Sequence, residues 1–128
     1  MRAAILFLAL ATPALAEPVI VPSGQAVTLY DVITDVPGPA GDTHRYRFLA
    51  PGISGGDGAV SMEETMSDMD HLCATVAIPR IRAAGARPAQ IIISLSDREV
   101  EFGQPNPEIT QFFEAYAIQG TDCIWEGF

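Results

Sequence analysis

The chain has 128 residues, a formal net charge of −9 and 48% hydrophobic residues, enough for one domain with one core and too few for a second. All seven basic side chains are arginine, against sixteen aspartates and glutamates. That balance argues against nucleic acid, whose binding depends on neutralising phosphates, and against an anionic membrane surface. It admits a cationic ligand or a periplasmic protein as partner, and serves solubility equally well.

Residues 1–16 read MRAAILFLALATPALA. A basic start at Arg2 leads into an apolar run from Ala3 to Ala11, broken by Pro13 and closed by Ala14-Leu15-Ala16. This is the pattern of a secretory signal peptide, too short to anchor the chain permanently in a bilayer. The expected organisation is therefore a signal peptide at 1–16 and a single domain at 17–128, periplasmic or secreted, without stable membrane insertion. In an oxidising compartment the two cysteines, Cys73 and Cys123, are expected to form a disulfide. A link closing about fifty residues contributes roughly 4 kcal/mol in the chain-entropy model. A metal pair or a reactive thiol is the lesser alternative, since neither cysteine lies in a CxxC motif.

Within 17–128, the segment 17–24 between Pro18 and Pro22 reads as an edge strand or a tucked arm. Residues 25–35 carry Val27, Leu29 and Ile33 on one side and Tyr30 and Val32 on the other, a strand covered on both faces for part of its length. After the Pro-Gly turn at 37–41, residues 44–50 alternate. Tyr46 and Phe48 face one way and Arg45 and Arg47 the other, giving a half-buried strand that completes a hairpin. The glycine-rich loop 51–58 is followed by no lysine and matches no phosphate-binding motif.

Ser61 and Glu64 have capping-box spacing and open a helix. Its apolar stripe is Met62, Met66, Met69, Leu72, Cys73 and Val76, an ordinary core face, and Pro79 is expected to stop it. Arg80, Arg82 and Arg87 then fall in the connection. On the opposite face Glu64, Asp68 and His71 line up with Thr75. Two carboxylates and an imidazole on one stripe are a candidate site for a divalent cation or for acid–base chemistry, although a helix exterior collects such residues by default.

Residues 90–96, with Ile91, Ile92 and Ile93 in succession, make the most buried strand of the reading. Its polar exit, Asp97, Arg98, Glu99 and Glu101, is the candidate binding cluster, placed where scaffolds present functional groups. A charged hairpin tip, with Val100 and Phe102 starting a return strand, is the bland alternative. Asn106 and Pro107 then suggest the start of a second helix, with Ile109, Phe112, Phe113 and Tyr116 as its apolar face and Gly120 as its end. Residues 122–128 form a closing strand.

The predicted order is β-β-α-β-(β)-α-β: an α+β domain in which two helices pack on a single, mainly antiparallel sheet, stapled by one disulfide. The crossover around the first helix allows one parallel pair. The stretches VPSGQAVTLYDVI, RYRFLAP, ISLSDREVEFG, PEITQFFEAY and CIWE resemble a family of small exported bacterial proteins catalogued as a domain of unknown function. The resemblance covers the whole chain after residue 16. It implies export, one domain and no assigned activity, and supplies no catalytic residues. With no nucleophile–base set, ligand-spaced Cys/His cluster or cofactor loop in the sequence, no cofactor is expected. The function expected is an exported binding or accessory domain rather than an enzyme. A small metal-dependent or carboxylate-based enzyme and a structural envelope component are the alternatives.

Overall fold

A computed structural model describes residue 4 and residues 16–55 and 59–127. The expected signal peptide lies outside the described residues except at positions 4 and 16. Among the described residues six strands form one mixed sheet in sequence order: β1 (Glu17–Val19), β2 (Val27–Ile33), β3 (Thr43–Leu49), β4 (Gln90–Ser96), β5 (Gln111–Gln119) and β6 (Asp122–Glu126). Every neighbouring pair is antiparallel except β3 and β4, which run parallel from Thr43 beside Gln90 to Leu49 beside Ser96. Parallel neighbours need a crossover connection. Here it consists of a 3-10 turn (Pro51–Ile53), α1 (Met62–Leu72), a π-helical segment (Cys73–Ala77) and α2 (Ile78–Ala83). The last three follow without a break as one helix of 22 residues.

The predicted arrangement of two helices on the sheet is therefore wrong: among the described residues there is one helix, and the segment assigned to the second forms β5 from Gln111. The capping signal at Asn106 is used, but only for a turn. Its Oδ1 accepts from the Glu108 N–H at 3.0 Å, and its carbonyl accepts from the Ile109 N–H at 3.2 Å, after which the chain straightens. Phe112 and Tyr116 fit a helical face and an alternating strand equally well. Tertiary pairing decides between them, because β4 has β3 on one edge and needs a partner on the other. Ile91 to Ser96 find it in Tyr116 to Gln111. Gly120, expected to end the helix, sits instead in the two-residue loop between Gln119 and Asp122. Its φ of +64° suits the first position of a hairpin turn that only glycine takes without strain. No return strand forms at Val100–Phe102; residues 97–110 are a loop.

Pro79 does not stop the helix either. In a regular α-helix its ring would strike the Thr75 carbonyl, and its missing N–H would break the ladder. The π segment widens that turn, with the Ile78 N–H donating to the Cys73 carbonyl five residues back. The inserted residue also shifts the helix phase. Thr65, Met69, Leu72 and Cys73 are buried before it, and Ala77, Ile78 and Ile81 after it. Pro79 and Arg80 point outward, so a single helix keeps one face on the sheet throughout. That face meets Val27, Leu29, Tyr46, Phe48, Ile91, Ile93, Leu95 and Tyr116 in one core.

The helix is fastened to both ends of the sheet. Cys73 is bonded to Cys123 of β6 across a sequence separation of 50, as expected. The Arg82 guanidinium donates to the Gly120 carbonyl at 2.6 Å. At the other edge Arg80 pairs with Glu17 of β1. In the middle the buried Tyr116 hydroxyl donates to Asp70 Oδ1 at 2.6 Å. Among the described residues no helix is long and apolar enough to cross a membrane.

Two outcomes follow from these ties. Removing the disulfide, by reduction or by Cys73→Ser with Cys123→Ser, should lower the unfolding free energy by roughly 4 kcal/mol, read as a fall in the urea midpoint; an unchanged midpoint would contradict this. Burial foremost, then the hydrogen bond to Asp70 and the charges of Asp70 and Glu114, pushes the Tyr116 pKa well above the ordinary 10.0. Tyr46 is raised by burial, with Arg80 pulling it partly back. The unfolded chain loses these protons first, so the stability they carry is complete below pH 10.0 and falls as the pH rises beyond it. Tyr116→Phe should make the decline in melting temperature between about pH 9 and about pH 11 shallower than in the parent.

Candidate functional site

Among the described residues one helix covers one face of the sheet, and the other face carries side chains and loops. Its rows follow from the strand register. Asp31, Arg47, Ser94 and Phe113 lie side by side across β2 to β5, and Ile33, Arg45 and Ile92 form the row beneath. A β-bulge makes this possible. By strict alternation Leu29 and Asp31 would share a face. The register shift between them makes Tyr30 the extra residue, so that Leu29 stays in the core while Asp31 turns to the open face. The sequence reading, which kept Leu29 and Ile33 on one side, missed that switch.

Arg47 organises this face. Only 6% exposed, its guanidinium donates to Asp31 Oδ2 at 2.8 Å and to the Val100 carbonyl at 2.6 Å. It also lies 5.2 Å from the Tyr30 ring centroid and 5.7 Å from that of Phe102, within cation–π range. The bond to Val100 draws the loop 97–110 across the sheet. The loop's neck is closed by the Asp97 N–H donating to the Thr110 carbonyl at 3.0 Å. Its tip turns at Glu101–Gln104, where Gly103 has φ +80° and the Gln104 N–H donates to the Glu101 carbonyl, a turn that requires glycine at its third position.

Between this loop and the turn at 37–41 lies a trough with two hollows that share lining residues. One, of about 390 Å³, is lined by Arg45, Arg47, Ile92, Ser94, Phe102 and Phe113 among others. The other, of about 700 Å³, is lined by Pro39, Ala40, Thr43, Gln90, Ile92 and Phe113 together with Arg45. Both fall in the size range of small-ligand sites. Arg45 lines both. Its Nη1 donates to the Val36 carbonyl and its guanidinium is 5.3 Å from the Phe102 ring centroid. Among the described residues no carboxylate lies within ion-pair distance of it. Phe102 and Phe113 are 43% and 50% exposed, so the walls are aromatic and wetted. Underneath, the hydroxyls of Ser94 and Ser96 are buried without a hydrogen-bond partner, as is the Tyr30 hydroxyl at the bulge.

The cluster expected at the exit of β4 is divided by the structure. Asp97, its side chain 6% exposed, accepts from the Ser54 hydroxyl at 3.1 Å and so holds the 3-10 turn rather than a ligand. Arg98 Nε is 3.4 Å from Asp97 Oδ1, near enough for a charge contact but not aligned as a hydrogen bond, which leaves that oxygen without one. Glu99 and Glu101 border a shallow cleft with Tyr30, Asp31, Arg47 and Phe102 at the rim of the trough. Glu101 also lines the smaller hollow.

The helix stripe is divided as well. Asp68 is not on a solvated face: it is fully buried. It accepts from the Ser23 N–H at 3.0 Å, from the Ser23 hydroxyl and from Gln25 Nε2 at 2.7 Å, holding the turn between β1 and β2 against α1. Glu64 is exposed and its N–H donates to the Ser61 hydroxyl at 3.1 Å at the helix start. Glu64 and Asp68 share a hollow with Ser23, which His71 does not line. Among the described residues no three His, Cys, Asp or Glu side chains are grouped closely enough to hold one metal ion.

The described residues define a class by their fold: one disulfide-stapled helix covers one face of a six-stranded mixed sheet, and a looped-over, arginine-bearing trough lies on the other. The chain belongs to a family of unknown function, DUF6497, whose model matches residues 5–128. No curated protein and no solved structure was found to match it.

Because Arg47 joins the loop to the sheet, Arg47→Met should free residues 98–105 while leaving the helix side intact. The expected cost is about 1–3 kcal/mol, the range for hydrogen bonds to a charged group and the polar atoms left behind, moderated because the Asp31 side chain is 38% exposed and regains water. Hydrogen exchange should quicken in the loop and stay slow in β4 and the helix; uniform quickening would contradict a local role.

Proposed function

We propose that the protein is an exported binding domain whose ligand site is the trough on the open face of the sheet. The observation that carries the reading is that two ligand-sized hollows share Arg45, Ile92, Gln111 and Phe113 in their linings, over strands that no helix covers among the described residues. A mostly apolar floor with a few converging polar groups is the usual make-up of a small-molecule site. Support for export comes from the signal-like start of the sequence and from the disulfide, which persists in oxidising compartments. The net charge of −9 by itself favours a cationic partner. The charge shared by the linings of both hollows, however, is a guanidinium, and local chemistry outweighs a net charge spread over the surface and screened within about 8 Å by physiological salt.

The test is to record amide chemical shifts of the disulfide-bonded chain while adding a library of small organic fragments. Hits are expected to cluster at Ile92, Ser94, Phe102 and Phe113, and Phe113→Ala should weaken them at least several-fold. Hits confined to the cleft between the end of the helix and the β5–β6 hairpin, lined by Ile78, Ile81, Arg87 and Ile118, would overturn the reading.

A further inference from the structure

We infer that the trough takes a small amphipathic acid, an apolar body bearing one carboxylate, and that Arg45 receives the carboxylate. The inference rests on the reading of the open face as a ligand site and names the chemistry of its ligand.

Arg45 and Arg47 sit two residues apart on the same face of β3 and are treated differently. Arg47 has its counter-ion, Asp31, at 2.8 Å and spends its remaining contacts on the loop. Arg45 is half-buried and lacks a carboxylate partner among the described residues, in a chain with sixteen acidic side chains. A guanidinium partly removed from water and left unpaired is unfavourable. Its planar fork suits a carboxylate that can accept two N–H donors at once. The Val36 carbonyl occupies Nη1 and the Phe102 ring lies beside the guanidinium. These contacts fix the fork's position and leave other donors available.

A second, independent observation lies on the floor. Ser94 is 2% exposed, lines the smaller hollow, and its hydroxyl has no hydrogen-bond partner. A buried hydroxyl without a partner costs about as much as a lost hydrogen bond, and a polar ligand atom reaching it would recover that cost. Around these polar groups the surface is apolar: Ile92 and Phe113 below, Pro39 on one side, Phe102 and Pro105 on the other. A neutral hydrocarbon would leave Arg45 unpaired, an organic cation would meet a guanidinium, and an inorganic anion would leave Ile92 and Phe113 in water. An amphipathic acid satisfies all of these groups together.

The closing experiment titrates the disulfide-bonded chain with decanoate, decanol and decyltrimethylammonium, each below its micellar concentration, by calorimetry and by amide chemical shifts. Decanoate is expected to bind at Ile92, Ser94 and Phe113, decanol about tenfold more weakly, the step lost with one charge-assisted contact, and decyltrimethylammonium not at all. Arg45→Gln should bring decanoate down to the level of decanol without changing decanol binding, and Arg45→Lys should recover part of the difference. Equal affinity for acid and alcohol on this face, or an Arg45→Gln chain that binds decanoate as the parent does, would overturn the acid inference while leaving the open-face site standing. Shifts elsewhere, or none with any of the three probes, would overturn the acid inference as well, and shifts elsewhere would count against the open-face site itself. Thermal unfolding of each variant separates loss of binding from loss of fold.

Discussion

The parallel pairing of β3 with β4 is the constraint on which the rest of the molecule depends. Their alignment from Thr43 beside Gln90 to Leu49 beside Ser96 obliges the chain to travel back along the sheet before β4 can begin, and the helix is the return path. With this as the one helix among the described residues, the core gathers on one face of the sheet. The helix must therefore present apolar side chains along its whole length. A regular α-helix running from Met69 and Leu72 would bring residues 79 and 80 toward the sheet, a proline and an arginine. The π segment at Cys73–Ala77 adds one residue to that turn, so that Ala77, Ile78 and Ile81 face the core while Pro79 and Arg80 face out, and it accommodates Pro79 in the same stroke.

Fastening the helix at both ends of the sheet follows from the same economy of cover. A six-stranded sheet is wider than one helix, so β1 and β6 receive little apolar burial from it. They are held by specific bonds instead: Glu17 to Arg80 at one edge, Cys123 to Cys73 and Gly120 to Arg82 at the other. Asp68 serves the same end. Its buried carboxylate, met by two donors from Ser23 and one from Gln25, locks the turn that leads into β2.

The open face carries the cost of that arrangement and also its chemical potential. Among the described residues it carries no helix and is crossed by the loop 97–110, drawn down by the Arg47 guanidinium to the Val100 carbonyl. The cover is incomplete. It leaves Phe102 and Phe113 partly wetted and, among the described residues, Arg45 without a counter-ion and the Ser94 hydroxyl without a partner. Departures from full satisfaction of buried polar groups are uncommon in folded chains and call for an explanation. Of the buried polar atoms without a partner among the described residues, on Gln25, Tyr30, His44, Ser94, Ser96 and Asp97, the Ser94 hydroxyl is the one that lines the trough, and ligand binding is the explanation proposed for it.

Much of this was legible in the chain, and for local reasons. The β2–β3 hairpin, the Ser61 cap, the isoleucine strand and the Cys73–Cys123 bond were read correctly because alternation, capping and cysteine pairing in an oxidising compartment are short-range or compositional signals. The alternation of Arg45 and Arg47 with Tyr46 and Phe48 already put both arginines on one face of β3; what it could not show was that Arg47 would be buried and Arg45 left unpaired. That depends on the bulge at Tyr30 and on a loop more than fifty residues away in sequence. The other misreadings share this cause. Residues 109–116 satisfy two periodicities at once, and the open edge of β4 chose between them. Asp68 looked solvent-facing until the turn at Ser23 packed on it, and Pro79 looked like a helix end until a π turn absorbed it. The sequence by itself determined the β2–β3 hairpin, the Ser61 cap, the isoleucine strand and the covalent tie, since each is set by neighbours within a few residues or by cysteine chemistry. Which face is open, which arginine is unpaired and which hydroxyl lacks a partner were decided only by tertiary structure, because burial and pairing are properties of what the strands bring together.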